Sequence, residues 1–127
     1  PPQANYDSED LYWLSRIISA ESRGEPLLGQ IAVGNVVLNR VKSAQFPSTI
    51  KDVIFDRQYA VQFTPVANGT IYQEPAASAV LAAKMCLEGA SVVGNSLYFY
   101  APAVSASSWI AQNRVYYTAI GNHHFYQ

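Results

Sequence analysis

Leu14, Ile17 and Ile18 recur at the three-and-four spacing of one helical face, and the next position on that face is Glu21. The pattern predicts a helix running from about Leu11, with Asp7 or Ser8 as its cap and Glu9 and Asp10 complementing the N-terminal dipole. Gly24 offers a C-terminal cap and Pro26 prevents continuation, so Glu21 falls in the last turn. A second helix spans about Leu27 to Lys42. Ile31, Val33, Val36, Val37, Leu38 and Val41 make it apolar around much of its circumference, which predicts a central, buried helix. Gly34 within it costs stability relative to alanine, a cost that a close helix contact would offset. Shorter periodic stretches predict a capped helix beginning near Ser48 and a longer one from about Pro75 to Glu88, closed by Gly89.

The pattern changes in the middle of the chain. Tyr59 to Val66 and Thr70 to Tyr72 flank Asn68-Gly69, which predicts an irregular hairpin with Asn-Gly as its turn; Pro65 confines it to an edge or a loop. Val92 to Tyr100 reads as a turn and strand or a short strand pair, and Ile120 to Tyr126 as a closing strand. Alternation turns Tyr98 and Tyr100 to one face and Phe99 to the core. Helices carry the front and short strands with loops carry the back. The fold class is α+β, in one domain over residues 9–127 behind a linker of residues 1–8.

Composition narrows the partners. The 127 residues are half hydrophobic and 13% charged, with a net charge of −1 and both signs mixed along the chain. That balance argues against disorder and against electrostatic capture of nucleic acid or an anionic membrane. No apolar run approaches a membrane span. Tyr98, Phe99, Tyr100, Trp109, Tyr116, Tyr117, Phe125 and Tyr126 crowd the last thirty residues, beside the small, polar loop from Ala101 to Ser108. Flat faces with polar handles suit a polymer recognised by stacking and hydrogen bonds, and such loops often line clefts. The start at Pro1-Pro2 without Met reads as a processed or trimmed chain.

Catalytic classes can be tested one at a time. Cys86 is the lone cysteine and lies in an apolar helix, the setting of a buried core thiol rather than a nucleophile. His123 and His124 are the only histidines, and neighbours on a strand point to opposite faces, so they do not share a metal. No metal and no other cofactor is expected. No G-x-S-x-G elbow and no Gly-rich phosphate loop occurs. Carboxyl chemistry remains. Burial and the negative end of the helix dipole both disfavour ionised Glu21, and a carboxyl protonated near neutral pH is what a general acid requires. The competing use of Glu21 is a helix-edge residue that reaches water or pairs with Arg23. Asp52, Asp56 and Glu74 are the candidates for a second site carboxylate, and Glu25 is expected to face solvent.

Several ordered motifs then become familiar. Ala20-Glu-Ser-Arg-Gly-Glu-Pro26, the stretches Gly29 to Gly34 and Val37 to Arg40, Phe46 to Ile50, Gln62-Phe-Thr64 with Asn68-Gly69, Ala101-Pro102 with Trp109, and Ile120 to His123 with Phe125 together resemble the SleB/CwlJ-type cell-wall hydrolases. The likeness runs over nearly the whole chain from Leu11. It departs from the family pattern at Ala101, often Asn, and at Asn68, often Asp. The resemblance implies a compact, lysozyme-like catalytic domain, similar to lytic transglycosylases and resuscitation factors, acting on the glycan strands of peptidoglycan. Glu21 matches the family glutamate. The implied reaction is lytic transglycosylation in spore cortex lysis, with 1,6-anhydro-muramic ends, by a monomer that is secreted or spore-associated. A preference for cortex muramic-δ-lactam is implied by the family alone. Gln62, Thr64, Tyr98, Tyr100 and Trp109 are the expected substrate-binding residues of a cleft opposite Glu21. A hydrolytic muramidase, an N-acetylmuramoyl-alanine amidase and a peptidoglycan-binding module without catalysis are the alternatives.

Overall fold

The computed structural model describes residues 6–58, 63–105 and 108–127. Helix α1 (Ser8–Glu21) starts at the Asp7 cap, whose side chain accepts a hydrogen bond from the Asp10 amide. Asp7 is thus the cap of the two expected, and the helix begins three residues before Leu11. Helix α2 (Leu27–Lys42) has the expected limits, and every residue from Gly29 to Val37 is buried. Helix α3 (Ile50–Ile54) is capped by Thr49, helix α5 spans Ala77–Leu87, and the two are joined through α4 (Thr64–Asn68) and a short 3-10 turn, Thr70–Tyr72. Strand β1 (Tyr98–Tyr100), helix α6 (Ser108–Asn113) and strands β2 (Tyr116–Ile120) and β3 (His123–Tyr126) complete the chain. The sheet is antiparallel in the order β1-β3-β2.

Two expectations are corrected. Asn68-Gly69 is not a hairpin turn: Gly69, at φ +83°, ends α4 in the left-handed conformation and hands the chain to the 3-10 turn. The same residue chemistry serves a helix C-terminus as readily as a hairpin. Tyr59 to Gln62, the first half of the expected hairpin, lie outside the described residues. The closing strand expected over Ile120 to Tyr126 is instead the end of β2, a turn at Gly121-Asn122, and β3. Strand β2 and helix α6 were not expected; the six residues of α6 are too few to show a helical period.

Helices α1, α2 and α5 pack on one another around a core that includes Leu14, Ile17, Ile18, Val33, Val36, Val37, Ala79, Ala82 and Ala83. Gly34 marks their closest approach. A Cβ there would come within 2.7 Å of Cys86 Sγ on α5 and 2.8 Å of Ile18 Cδ1 on α1, so the glycine of the central helix is required by its neighbours. Cys86 is buried, donates to the Ile31 carbonyl, and its thiol is pushed up to about 12 by burial, as a core thiol should be.

The sheet is fixed to this helical body by a row of polar side chains on α2. Asn35 donates to the Ala90 carbonyl and accepts from the Val92 amide, both at 2.8 Å. One turn later, Asn39 donates to the carbonyls of Gly94 and Ser96, and Arg40 Nε donates to Leu97. These bonds satisfy backbone groups that have no ladder of their own, and they deliver the chain directly into β1. Phe99 and Phe125, paired across β1 and β3, form the inner face of the sheet, with ring centroids 5.9 Å apart. Tyr100, Tyr116, His124 and Tyr126 occupy the other face.

Candidate active site

Helix α1 stops at Glu21 because Ser22 leaves helical geometry and caps it, with both its amide and its hydroxyl donating to the Ile18 carbonyl. Gly24 follows at φ +81°, a conformation that favours glycine. Glu21 thus sits at the very end of a helix whose preceding face, Leu14, Ile17 and Ile18, is wholly buried. Among the described residues it forms no ion pair, and Arg23 beside it is exposed. Burial raises the Glu21 carboxyl to about 7, against a smaller opposing pull from the Arg40 cation.

Three cavities open onto this carboxyl. One of about 410 Å³ lies between α1 and the α4 region and includes Arg16, Ser19, Thr64, Asn68 and Glu74. A second, of about 200 Å³, is walled by Arg40, Phe63, Tyr98, Trp109 and Ile110. A third, of about 340 Å³, is lined by Thr64, Tyr100, Val104 and His123 among others. Among the described residues, Glu21 is the one common to all three. A carboxyl whose protonated form persists close to neutrality, at the junction of three clefts, can serve as a proton donor to a group bound there.

The structure brings Thr64, Tyr98, Tyr100 and Trp109 into these walls; Gln62 lies outside the described residues. Phe99 lies on the inner face as expected, while Tyr98 and Tyr100 line different cavities. Tyr98 packs against Trp109 with ring centroids 5.9 Å apart and planes tilted by 59°, and accepts a hydrogen bond from Arg114. Trp109 itself is 56% exposed, so its ring is available to a ligand. The two histidines separate as strand geometry requires: His124 joins Tyr100 and Tyr116 outside, while His123 is buried against Phe99 and reaches the third cavity. Burial lowers its pKa, favouring the neutral ring.

Glu25 is partly exposed to solvent, as expected, but it is not free there. Its carboxylate accepts from the Asn122 backbone amide at 2.9 Å and from the Asn122 side chain at 3.0 Å. These bonds hold its pKa below the ordinary value and tie the loop after Glu21 to the β2–β3 turn. That turn includes Gly121, at φ +57°, where an added Cβ would strike Glu25 Oε1. Of the other carboxylates considered as partners, Asp52 serves the first turn of α3 and Asp56 follows that helix. Glu74 lines the first cavity, but its side chain is 92% exposed and pairs with Arg16 at 3.7 Å.

Two members of the site were missed in the sequence. His123 enters the sequence reading through the histidine pair and the family motif, with no place in the site. Arg40 was read as part of the family motif, with no role of its own. Its spacing after Asn35 and Asn39 was the available signal, since three polar residues on one side of a buried helix need partners.

Comparison with known proteins gives this geometry a context. The family described as Cell Wall Hydrolase matches residues 24–126. The chain belongs to that family. The match starts just after Glu21, but longer alignments include the glutamate. A spore cortex-lytic enzyme of Bacillus cereus is 42% identical over 94% of this chain, and one of Oceanobacillus iheyensis is 39% identical over 94%. The chain spans 45% and 42% of the lengths of those two relatives. Among solved structures, the catalytic domain of the germination-specific lytic transglycosylase SleB from Bacillus anthracis is 40% identical, with a TM-score of 0.87. The alignment covers 99% of this chain and 100% of that one. The catalytic domain of Bacillus cereus SleB superposes with a TM-score of 0.85 at 40% identity, over 98% of this chain and 94% of that one. The cell wall hydrolase fold here is accordingly the α+β, lysozyme-like one.

Proposed function

We propose that this domain cleaves the glycan strands of peptidoglycan as a lytic transglycosylase, in spore cortex lysis during germination, with Glu21 as acid and then base. The observation that carries the reading is the position of Glu21: one carboxyl with a raised pKa at the meeting point of three cavities, with no second carboxyl held opposite it among the described residues. Glycosidases that use water or a covalent intermediate need a second, well-placed carboxyl. Glu74 is too exposed for that duty. Transglycosylation needs only one. Glu21 protonates the glycosidic oxygen, and the resulting carboxylate takes the proton of the muramic acid 6-hydroxyl as that oxygen attacks the anomeric carbon. The 1,6-anhydro ring closes without external water. The names of the similar proteins, a germination-specific lytic transglycosylase and spore cortex-lytic enzymes, support both the reaction and the setting.

The proton inventory predicts a pH profile. Cleavage requires Glu21 to start protonated, so the rate of peptidoglycan lysis should fall on the alkaline side with a midpoint near 7. A rate still level at pH 9, with the protein folded, would remove Glu21 as the acid. The cleft walls supply binding through Thr64, Tyr98, Tyr100 and Trp109, with Gln62 as the remaining candidate. Trp109→Ala should weaken binding of soluble glycan fragments about tenfold, as loss of an aromatic anchor does, and leave the melting temperature nearly unchanged because the ring is half exposed. Calorimetric titration and thermal melts of the same preparation separate the two effects; unchanged affinity would place Trp109 outside the binding surface.

A further inference from the structure

Arg40 is 5% exposed, and nothing in the expected chemistry of a single acid requires a buried cation. Its guanidinium is held firmly. Nε donates to the Leu97 carbonyl at 2.8 Å, and its central carbon lies 4.8 Å from the Phe46 ring centre and 5.2 Å from those of Phe63 and Tyr98. Among the described residues no carboxylate pairs with it, and its NH1 group is buried without a hydrogen-bond partner. A buried charge is costly unless something compensates it. Three aromatic faces recover part of that cost, yet they leave the NH1 donor unused. The wall that Arg40 forms is the wall of a cavity shared with Glu21.

We propose that Arg40 is the fixed countercharge for the Glu21 carboxylate that proton donation leaves behind, which makes it a positioning residue in the reaction. The proposal rests on the reading of Glu21 as the acid. In the first step the Glu21 proton moves to the glycosidic oxygen, the bond from that oxygen to the anomeric carbon breaks, and the bonding pair leaves with the oxygen as a hydroxyl. A carboxylate now stands in a cavity walled in part by a guanidinium that stays charged at neutral pH, although burial lowers its pKa to about 10. In the second step the 6-hydroxyl oxygen bonds to the anomeric carbon and its proton returns to Glu21. In the reaction Arg40 therefore stabilises the anion formed between the two proton transfers, and its rigidity means that no reorganisation accompanies the charge.

Other charges around the pair are placed differently. Tyr98 on β1 and Asp56 after α3 act on Arg40. Arg16, Arg23 and Glu74 border the first cavity and His123 the third, and Arg40 is the cation whose charge draws the Glu21 pKa down against the larger effect of burial.

The test is the titration midpoint of Glu21, read by NMR of carboxyl-labelled glutamate in the wild type, Arg40→Met, Arg40→Gln and Arg40→Lys. Arg40→Met and Arg40→Gln should each move the midpoint up by about one pH unit, the low end of what an adjacent opposite charge exerts, and lower the maximal lysis rate at least tenfold. Arg40→Lys keeps the charge, so its midpoint should stay near the wild-type value with at least a tenth of the activity retained. A folded neutral variant with an unmoved midpoint overturns the proposal. So does a folded Arg40→Lys protein whose midpoint shifts like a neutral variant's, or one as inactive as Glu21→Gln; this arm decides the matter if neither neutral variant folds. The midpoint is read without substrate. It therefore judges Arg40 independently of the Glu21→Gln assay, which judges whether Glu21 is the acid.

Discussion

Glu21→Gln is expected to lose about 10²–10⁴-fold in peptidoglycan lysis while becoming more stable than the wild type above neutral pH. Glutamine keeps the size and some of the hydrogen bonding of the acid but delivers no proton. The stability gain follows from the raised carboxyl. Between about 4.5 and 7 the folded protein keeps a proton on Glu21 that the unfolded chain has released. Stability therefore declines as pH rises through that window, and the cost is complete above it. The shift corresponds to roughly 3 kcal/mol, which the amide does not incur. At pH 8 the variant should melt several degrees higher than the wild type, and below pH 4 the two should melt together. Thermal melts at both pH values check the stability claim, and lysis by the folded variant checks the catalytic one. Near wild-type lysis would refute the role of Glu21.

Gly34→Ala should destabilise the fold although alanine is the better helix former. The gain in helix propensity is at most about 1 kcal/mol. Against it stand two contacts that a methyl cannot occupy, Cys86 Sγ at 2.7 Å and Ile18 Cδ1 at 2.8 Å. Both belong to packed core residues, one of them also hydrogen-bonded, and overpacking of this kind costs about 1–3 kcal/mol. The net effect is a melting temperature several degrees lower. Adding Cys86→Ala removes the nearer obstacle and should recover part of the loss, so the double variant is less destabilised than the sum of its singles. Strict additivity would mean that the contact with α5 is not what selects glycine.

Much of the helical half was legible because it rests on local rules. The limits of α2, the end of α1 at Glu21 and the close contact at Gly34 follow from periodicity, capping residues and the cost of glycine in a helix. What escaped depends on contacts distant in sequence. Asn68-Gly69 satisfies the chemistry of two different turns, and only its neighbours decide between them. Glu25 gains its role from Asn122, and Arg40 from Leu97 and Phe63, none of which are near in sequence. His123 was divided correctly from His124 by strand alternation, but alternation does not say that the inner face at that end opens onto Glu21. The raised carboxyl was therefore legible as a residue, while its electrostatic surroundings were not.

The mass of the cleavage product tests the central claim most directly. Purified peptidoglycan digested with the folded domain should yield glycan fragments ending in 1,6-anhydro-muramic acid, one water lighter than reducing ends, and the Glu21→Gln protein should yield none. Reducing ends would point to a hydrolytic muramidase, freed peptides to an amidase, and undigested strands that retain the protein to a binding module; any of the three would contradict the account.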